Sequence, residues 1–266
     1  MDKNKFRNIH FFTDIDGTMS TEDNFIPSQN IKAIEYFTEN GGIFSVATGR
    51  CIGDIDILKN IQINGFYILN NGACIFDKNK NKITYKKSLS EIDVVKVMNY
   101  CVKNTQLGLV VVNESGYTNA IIDKVPRPFF NDRFRTVEIE LIKKPYDKLL
   151  LVINDDNADK VASDISKLNL SSSDFVRTGK TSLEIIAKGH SKGKAFDMIC
   201  KENNIDKSKT FFTGDSFNDI EIMRAVSFSA CVDEASPLVK ANADVVLCKF
   251  SDGIIEKMLE HIEKNL

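Results

Sequence analysis

Apolar residues arrive along this chain in two rhythms. Residues 8–13 (NIHFFT) form a short apolar run that stops at a cluster of Asp and Gly. That is the pattern of a buried strand whose carboxyl end delivers Asp14 to a loop. From 28 to 40, Ile31, Ile34, Tyr36 and Phe37 recur at helical spacing, and Gly41-Gly42 supplies a stop. Residues 43–48 (IFSVAT) read as a second buried strand ending at Gly49-Arg50, a helical stretch follows around 52–60, and GFYILNNGA (65–73) holds a third strand ending in Asn70-Asn71-Gly72. Strand, helix, strand, helix, strand in such a short span predicts parallel α/β winding.

The rhythm changes over 83–187. Short strands are expected at LGLVVV, YTNAII, KLLLVI and SLEIIA, with amphipathic helices over roughly 90–104 and 157–168. That mixture predicts an α+β insertion with an antiparallel sheet. Near 188 the first rhythm resumes: helix 192–204, strand 209–213 (KTFFT), the loop GDSFND, helix 219–225, short strands at SFSA and DVVL, and a closing helix at 253–264. The expected architecture is α/β, a doubly wound parallel-sheet, Rossmann-like core at 1–82 and 188–266 carrying an α+β cap domain at 83–187.

Composition narrows the classes. At 266 residues, 42% hydrophobic and 27% charged, the chain has ample apolar material for a core and suits one domain with a large insertion or two modest domains. A net charge of -2 sets up no field for nucleic acid or an anionic membrane. Lys78, Lys80, Lys82, Lys86 and Lys87 cluster, and a solvated hairpin rim explains them better than a polyanion site. No window approaches the ~18 consecutive apolar residues of a membrane span, and Met-Asp-Lys-Asn-Lys at the N-terminus lacks the apolar core of a signal peptide. A cytoplasmic monomer or weak homo-oligomer is expected. The six cysteines are dispersed without ligand spacing and read as reduced thiols.

Chemistry concentrates at the ends of the expected core strands. In FFTDIDGTM, Asp14 and Asp16 stand two apart on a loop at a strand's carboxyl end. One carboxylate can attack phosphorus while the other handles a proton. Ligands in open α/β sheets bind at these ends. Taken alone, the pair is as readily a turn or a helix cap. Thr48-Gly49-Arg50 offers a hydroxyl and backbone N–H groups to a phosphoryl oxygen, or simply a capped turn. Lys192, at the start of a helix, could neutralise a nucleophile and a phosphate, or be one surface lysine among several. Asp215, Asn218 and Asp219 supply hard oxygens that suit Mg²⁺, with Asp219 as a helix N-cap the competing reading. Together, four strand-end segments supply a nucleophile, a phosphate-binding hydroxyl, a cation and metal ligands, in an order that chance assembles poorly.

DxDGT, then (S/T)GR, then a Lys before a helix, then GDxxND resembles the four-motif signature of the haloacid dehalogenase superfamily of phosphohydrolases. TDIDGT, ATGR (47–50), NGA (71–73), SKG (191–193) and GDSFNDIEIM (214–223) look like its Cof-type branch, over essentially the whole chain. The resemblance implies that Asp14 is the nucleophile and Asp16 the general acid/base. It implies that Thr48, Gly49, Lys192 and Asn218 serve the phosphate. It further implies that Asp14, the Asp16 carbonyl, Asp215 and Asp219 serve Mg²⁺. The long stretch between Gly72 and Lys192 places the cap after the second motif, as in Cof-type enzymes, sucrose- or trehalose-phosphate phosphatases and phosphomannomutases. The chain departs from many relatives in carrying Asp233 and Glu234 where a neutral Asn is common, and in lacking a proline before the hinge.

The expected partner is a small phosphorylated metabolite; hexose phosphates, pentose phosphates and pyridoxal phosphate all fit the class. Arg50 and Asn71, with Arg127 and Arg133 in the cap segment PRPFFNDRFR, are the candidate substrate contacts. His190 reads as hinge or surface, because the acid/base role is already filled. GKT at 179–181 lacks the preceding Gly of a P-loop, and no GxGxxG follows the first strand. Two alternatives stay open: a phosphotransferase of the phosphomannomutase type, and a non-catalytic binding module.

Overall fold

Why the apolar runs become a two-sided sheet is visible at its centre. Strand β1 (His10–Thr13) alternates its side chains across the sheet. Phe11 meets Phe37 and Phe44 edge-on, while Phe12 meets Phe196 edge-on. Phe37 belongs to α1 (Ser28–Glu39) and Phe196 to α4 (Lys192–Asn203), so helices cover both faces. The computed structural model describes residues 4–21, 23–104, 107–113, 116–120, 135–136, 142–153, 157–177 and 181–265.

In chain order, β1 and α1 are followed by β2 (Ile43–Ala47), β3 (Phe66–Leu69), β4 (Cys74–Asp77) and β5 (Lys82–Lys86). Next come α2 (Glu91–Lys103), β6 (Leu107–Asn113), β7 (Gly116–Ala120), β8 (Arg135–Thr136), β9 (Lys148–Ile153), α3 (Ala158–Ser166), β10 (Ser173–Arg177) and β11 (Ser182–Ala187). The chain closes with α4, β12 (Thr210–Gly214), α5 (Ile220–Met223), β13 (Phe228–Val232), α6 (Pro237–Lys240), β14 (Val245–Cys248) and α7 (Ile254–Lys264).

The chain divides into two units, Met1–Gly49 with Ile55–Lys86 and Ser191–Leu266, and Arg50–Asp54 with Lys87–His190. The first holds a sheet in the order β14-β13-β12-β1-β2-β3-β4-β5, parallel from β14 to β3 and antiparallel in the last two pairings. This is the doubly wound α/β core that the apolar runs predict. The tripeptide Phe-Phe-Thr occurs on both β1 and β12, and the two copies lie in register. Thr213 Oγ1 donates to Thr13 Oγ1 at 2.8 Å, and Thr13 Oγ1 donates to the Asp14 carbonyl at 2.8 Å. A relay of hydroxyls thus ties the peptide of Asp14 to the neighbouring strand.

The second unit has a sheet in the order β10-β11-β9-β6-β7-β8, antiparallel apart from the β7–β8 pair. Leu109, Val111, Leu149, Leu151, Leu183 and Ile185 bury one face of it, against Val94 and Val97 of α2 and Val161 and Ile165 of α3. The inserted unit is therefore α+β with its own core.

Some expectations change. The helix expected around 52–60 is two separate 3₁₀ turns, Ile52–Asp54 and Asp56–Leu58. Gly53 and a run in which Asp alternates with Ile oppose a continuous helix there. The lysine-rich stretch after 77 is the β4–β5 hairpin; Lys78, Lys80 and Lys82 are exposed, and Lys80 pairs with Asp77 at 2.8 Å. The six cysteines are unbonded, and all but Cys248 are buried. Among the described residues no helix is long and apolar enough to cross a membrane.

Candidate active site

The carboxyl ends of β1, β2, β3 and β12, with the first turn of α4, carry the expected motifs of the first unit. Asp14 follows β1 directly and is buried. Its N–H donates to the Thr213 carbonyl at 2.8 Å, continuing the β1–β12 ladder by one residue. Asp14 Oδ1 accepts from its neighbour's amide, Ile15 N, at 2.8 Å, and lies 3.0 Å from Lys192 Nζ. Lys192 opens α4, capped by Ser191, whose hydroxyl accepts from Lys194 N. The lysine is wholly buried, and its Nζ also donates to Asp219 Oδ1 at 2.7 Å. Two of its three N–H donors are used within the described residues.

Asp219 is buried as well. Its Oδ2 accepts from the amides of Asp215 and Ser216 at 3.1 and 3.0 Å, closing a capping box with Ser216 at the loop's 3₁₀ turn. Asp215 is half-buried; Thr18 Oγ1 donates to its Oδ1 at 2.7 Å and Ser216 Oγ to its Oδ2 at 2.9 Å. Gly17 lets β1's loop reach this carboxylate. Its φ is +76°, and a Cβ there would lie 3.0 Å from Asp215 Oδ2. Asp14, Asp215 and Asp219 each offer a carboxylate oxygen within 4.8 Å of the others. Asp16 is exposed and stands outside that group.

Thr48 and Gly49 follow β2, and Thr48 is buried between main-chain bonds, its N–H to Ile68 O and its carbonyl from Asn71 N. Asn70 and Asn71 both take left-handed backbone conformations, φ +50° and +52°. Gly72 follows at φ +95°, where a Cβ would fall 2.0 Å from the Ser191 carbonyl. Only glycine lets this turn sit against the start of α4. Asn218 Nδ2 donates to Asn71 Oδ1 at 2.8 Å, linking the β3 and β12 ends. Asn70 Oδ1 and Asn218 Oδ1 are buried with no donor among the described residues.

The charges do not balance internally. Burial pushes the Asp14 carboxyl well above its ordinary range; Lys192 opposes this, and Asp219, Asp215 and Asp16 reinforce it. Burial likewise raises Asp215 to about 6, with Asp219 adding to it and the Thr18 and Ser216 hydroxyls working against it. For Lys192 burial works against the charge, but Asp14 and Asp219 outweigh it and hold the ammonium above its usual range. Three carboxyl groups gather around one ammonium that pairs with two of them, so acid exceeds base at this point. Hard oxygen donors with that excess fit one divalent cation of the Mg²⁺ kind.

Of the expected site residues, the structure brings Asp14, Lys192, Asp215 and Asp219 into direct contact or close approach, and joins Asn71 to Asn218. Arg50 belongs to the second unit, where its Nη1 donates to the Asp54 carbonyl at 3.2 Å and lies 3.5 Å from Asp54 Oδ2. Arg127 and Arg133 lie outside the described residues. Sequence reasoning assigned no role to Thr18, Ser216 or Asn70. The first two sit inside quoted motifs, and their hydroxyls beside an acidic loop were the available signal.

A family model for haloacid dehalogenase-like hydrolases matches residues 11–259. The 5-amino-6-(5-phospho-D-ribitylamino)uracil phosphatase YcsE of Bacillus subtilis is 22% identical over 249 residues, 93% of each chain. A glucosyl-3-phosphoglycerate/mannosyl-3-phosphoglycerate phosphatase of Persephonella marina is 24% identical over 228 residues, 81% of each chain. Among solved structures, a HAD subclass IIB sugar phosphatase matches with a TM-score of 0.82 at 26% identity, covering 96% of this chain and 98% of its own.

Proposed function

Because this chain belongs to the haloacid dehalogenase-like hydrolases and is a phosphatase, we propose that it hydrolyses a small phosphorylated metabolite, a sugar phosphate by preference, through a phosphoryl group carried on Asp14. The observation that carries this reading is the buried Asp14–Lys192 contact set among an excess of carboxylate charge. The relatives' names support the substrate class, since they act on phosphorylated ribityl and glycosyl compounds.

Asp14 Oδ1 is held by Ile15 N–H and Lys192, which leaves Oδ2 to attack phosphorus in line. The third N–H of Lys192 and the Thr48 hydroxyl meet the equatorial phosphoryl oxygens. Asp16, exposed on the same loop, protonates the leaving alkoxide. It then takes a proton from the water that cleaves the acyl phosphate, restoring the Asp14 carboxylate and releasing inorganic phosphate. Asp219, with both oxygens already bonded, holds Lys192 and the 214–216 loop in place. Asp14, Asp215 and the main chain of Asp16 would hold Mg²⁺, which when bound neutralises phosphoryl charge as the bond to the leaving group breaks.

The test is phosphate release from p-nitrophenyl phosphate and a panel of sugar phosphates, with Mg²⁺ or with EDTA, for wild type and Asp14→Asn. Mg²⁺-dependent turnover that vanishes in the variant is the expected result. Equal release by wild type and Asp14→Asn would remove Asp14 as nucleophile, and release unaffected by EDTA would remove the metal.

A further inference from the structure

The parallel sheet of the first unit has two ends, and the chemistry above uses only the carboxyl one. At the opposite end, where His10, Ile43 and Phe66 open β1, β2 and β3 and Lys209 precedes β12, there is a cavity of about 490 Å³. That volume falls within the range of small-molecule sites. His10 opens β1 and Asp14 directly follows its far end, about 13 Å away along the strand direction, so this cavity is separate from the phosphoryl site.

Its lining has a specific chemistry. Phe66 is buried and Ile43 and Ile205 are half-buried, which gives an apolar floor. Around them stand amide side chains whose orientation is already fixed. Asn79 Nδ2 donates to the Asn64 carbonyl at 3.0 Å, and Asn203 Nδ2 donates to the Ile199 carbonyl at 2.9 Å. In each case the Oδ1 acceptor is the end left for another donor. His10 is 8% exposed and lines the cavity, while its Nδ1 is closed off from the surface and has no partner among the described residues. Burial lowers its pKa to about 4, so the ring is neutral near pH 7 and offers one donor and one acceptor.

Charge then excludes one class of ligand. Lys209 and Asp206 are the charged residues of the lining, one of each sign, and Asp206 Oδ1 already accepts from Ser208 N and Oγ at 3.0 and 2.7 Å. No excess cation is present to receive a phosphate or carboxylate. Fixed amide acceptors, a neutral imidazole and an apolar floor suit a molecule rich in hydroxyl donors with one apolar face.

We propose that this cavity is a second, non-catalytic site for a neutral polyhydroxylated small molecule, an unphosphorylated sugar or polyol. Hydroxyls donate to Asn79 Oδ1 and Asn203 Oδ1, the neutral His10 ring borders the ligand, and the carbon face rests on Phe66 and Ile205.

The experiment is NMR of the full chain labelled with ¹⁵N-histidine, titrated separately with D-glucose, ribitol and inorganic phosphate. The His10 ring signals are assigned by elimination with His190→Gln and His261→Gln. Glucose or ribitol is expected to shift the His10 signals saturably, in wild type and in Asp14→Asn alike. Asn203→Leu, exposed and remote from Asp14, should weaken that shift by about tenfold or more while phosphatase turnover shows the fold intact. No His10 shift with either polyol would overturn the proposal. So would a shift lost in Asp14→Asn, one that survives Asn203→Leu unchanged, or one that phosphate alone reproduces.

Discussion

Among the described residues each unit of this protein buries one lysine, and the two are balanced differently. Lys148, 2% exposed on β9, meets Glu184 of the adjacent strand β11 at 2.8 Å. Lys192, wholly buried, meets Asp14 and Asp219 with Asp215 close by. In the inserted unit a carboxylate on the next strand answers the ammonium, and the pair is part of the sheet. In the other unit negative charge exceeds positive, and the protein alone does not resolve it. A charge cluster left unresolved by its own fold is one that a ligand's charge completes.

The largest effect that would break this contrast is on turnover. Lys192→Met is expected to lower kcat/KM by about 10³-fold, the scale of losing one electrostatic stabiliser of the transition state. A loss under about tenfold in steady-state kinetics would remove Lys192 from the proposed phosphate site. Next comes stability. Lys148→Met strands Glu184 in a buried position and should cost about 3 kcal/mol in urea unfolding, while Lys148→Met with Glu184→Leu should recover most of it. A double variant as unstable as the single one would mean that the cap pair does more than balance charge.

The smallest effect is a pH dependence. Asp215 has a carboxyl raised from its ordinary 3.8 to about 6. The folded state therefore holds a proton that the unfolded state has released between those values. The group's contribution is fully present below the lower value and is lost as pH rises through the upper one. In EDTA, wild type should lose stability from about pH 4 to about pH 6 relative to Asp215→Asn, and Mg²⁺ should restore it at the higher pH. Parallel curves for the two proteins, followed by urea midpoint, would contradict the assigned burial of that carboxylate.

Legibility in the sequence followed the same division. The strands ending at Asp14, Thr48 and Asp215 were readable because a parallel strand covered on both faces is a continuous apolar run. Their loops carried short motifs at fixed places, so acid, hydroxyl and lysine could be named in advance. The contacts that organise them could not. Thr18 and Asp215 are 197 residues apart, and nothing local in either marks their bond. Strand β5 (KITYK) was legible only as the rim of a solvated hairpin, and the edge strand β10 (SDFVR) not at all, because edge strands carry polar side chains and present no apolar run. At 52–60 the fault lay in periodicity, since alternating Ile and Asp imitates an amphipathic face without the propensity to hold a helix.

The pairing of β1 with β12 carries a consequence for the newborn chain. His10 to Thr13 lie beside Thr210 to Thr213, so the central strand waits about 200 residues for its neighbour. At ordinary rates of translation that is a delay on the order of 10 s, during which one side of β1 has no strand to bond. Phe11 and Phe12, both fully buried in the finished fold, spend that interval beside an open hydrogen-bonding edge. The inserted unit, contiguous from Lys87 to His190 apart from five residues, emerges complete in the meantime. Synthesis therefore favours an order in which the cap matures first, and Asp14 stays without Lys192, β12 and the loop beyond it until the ribosome has delivered them.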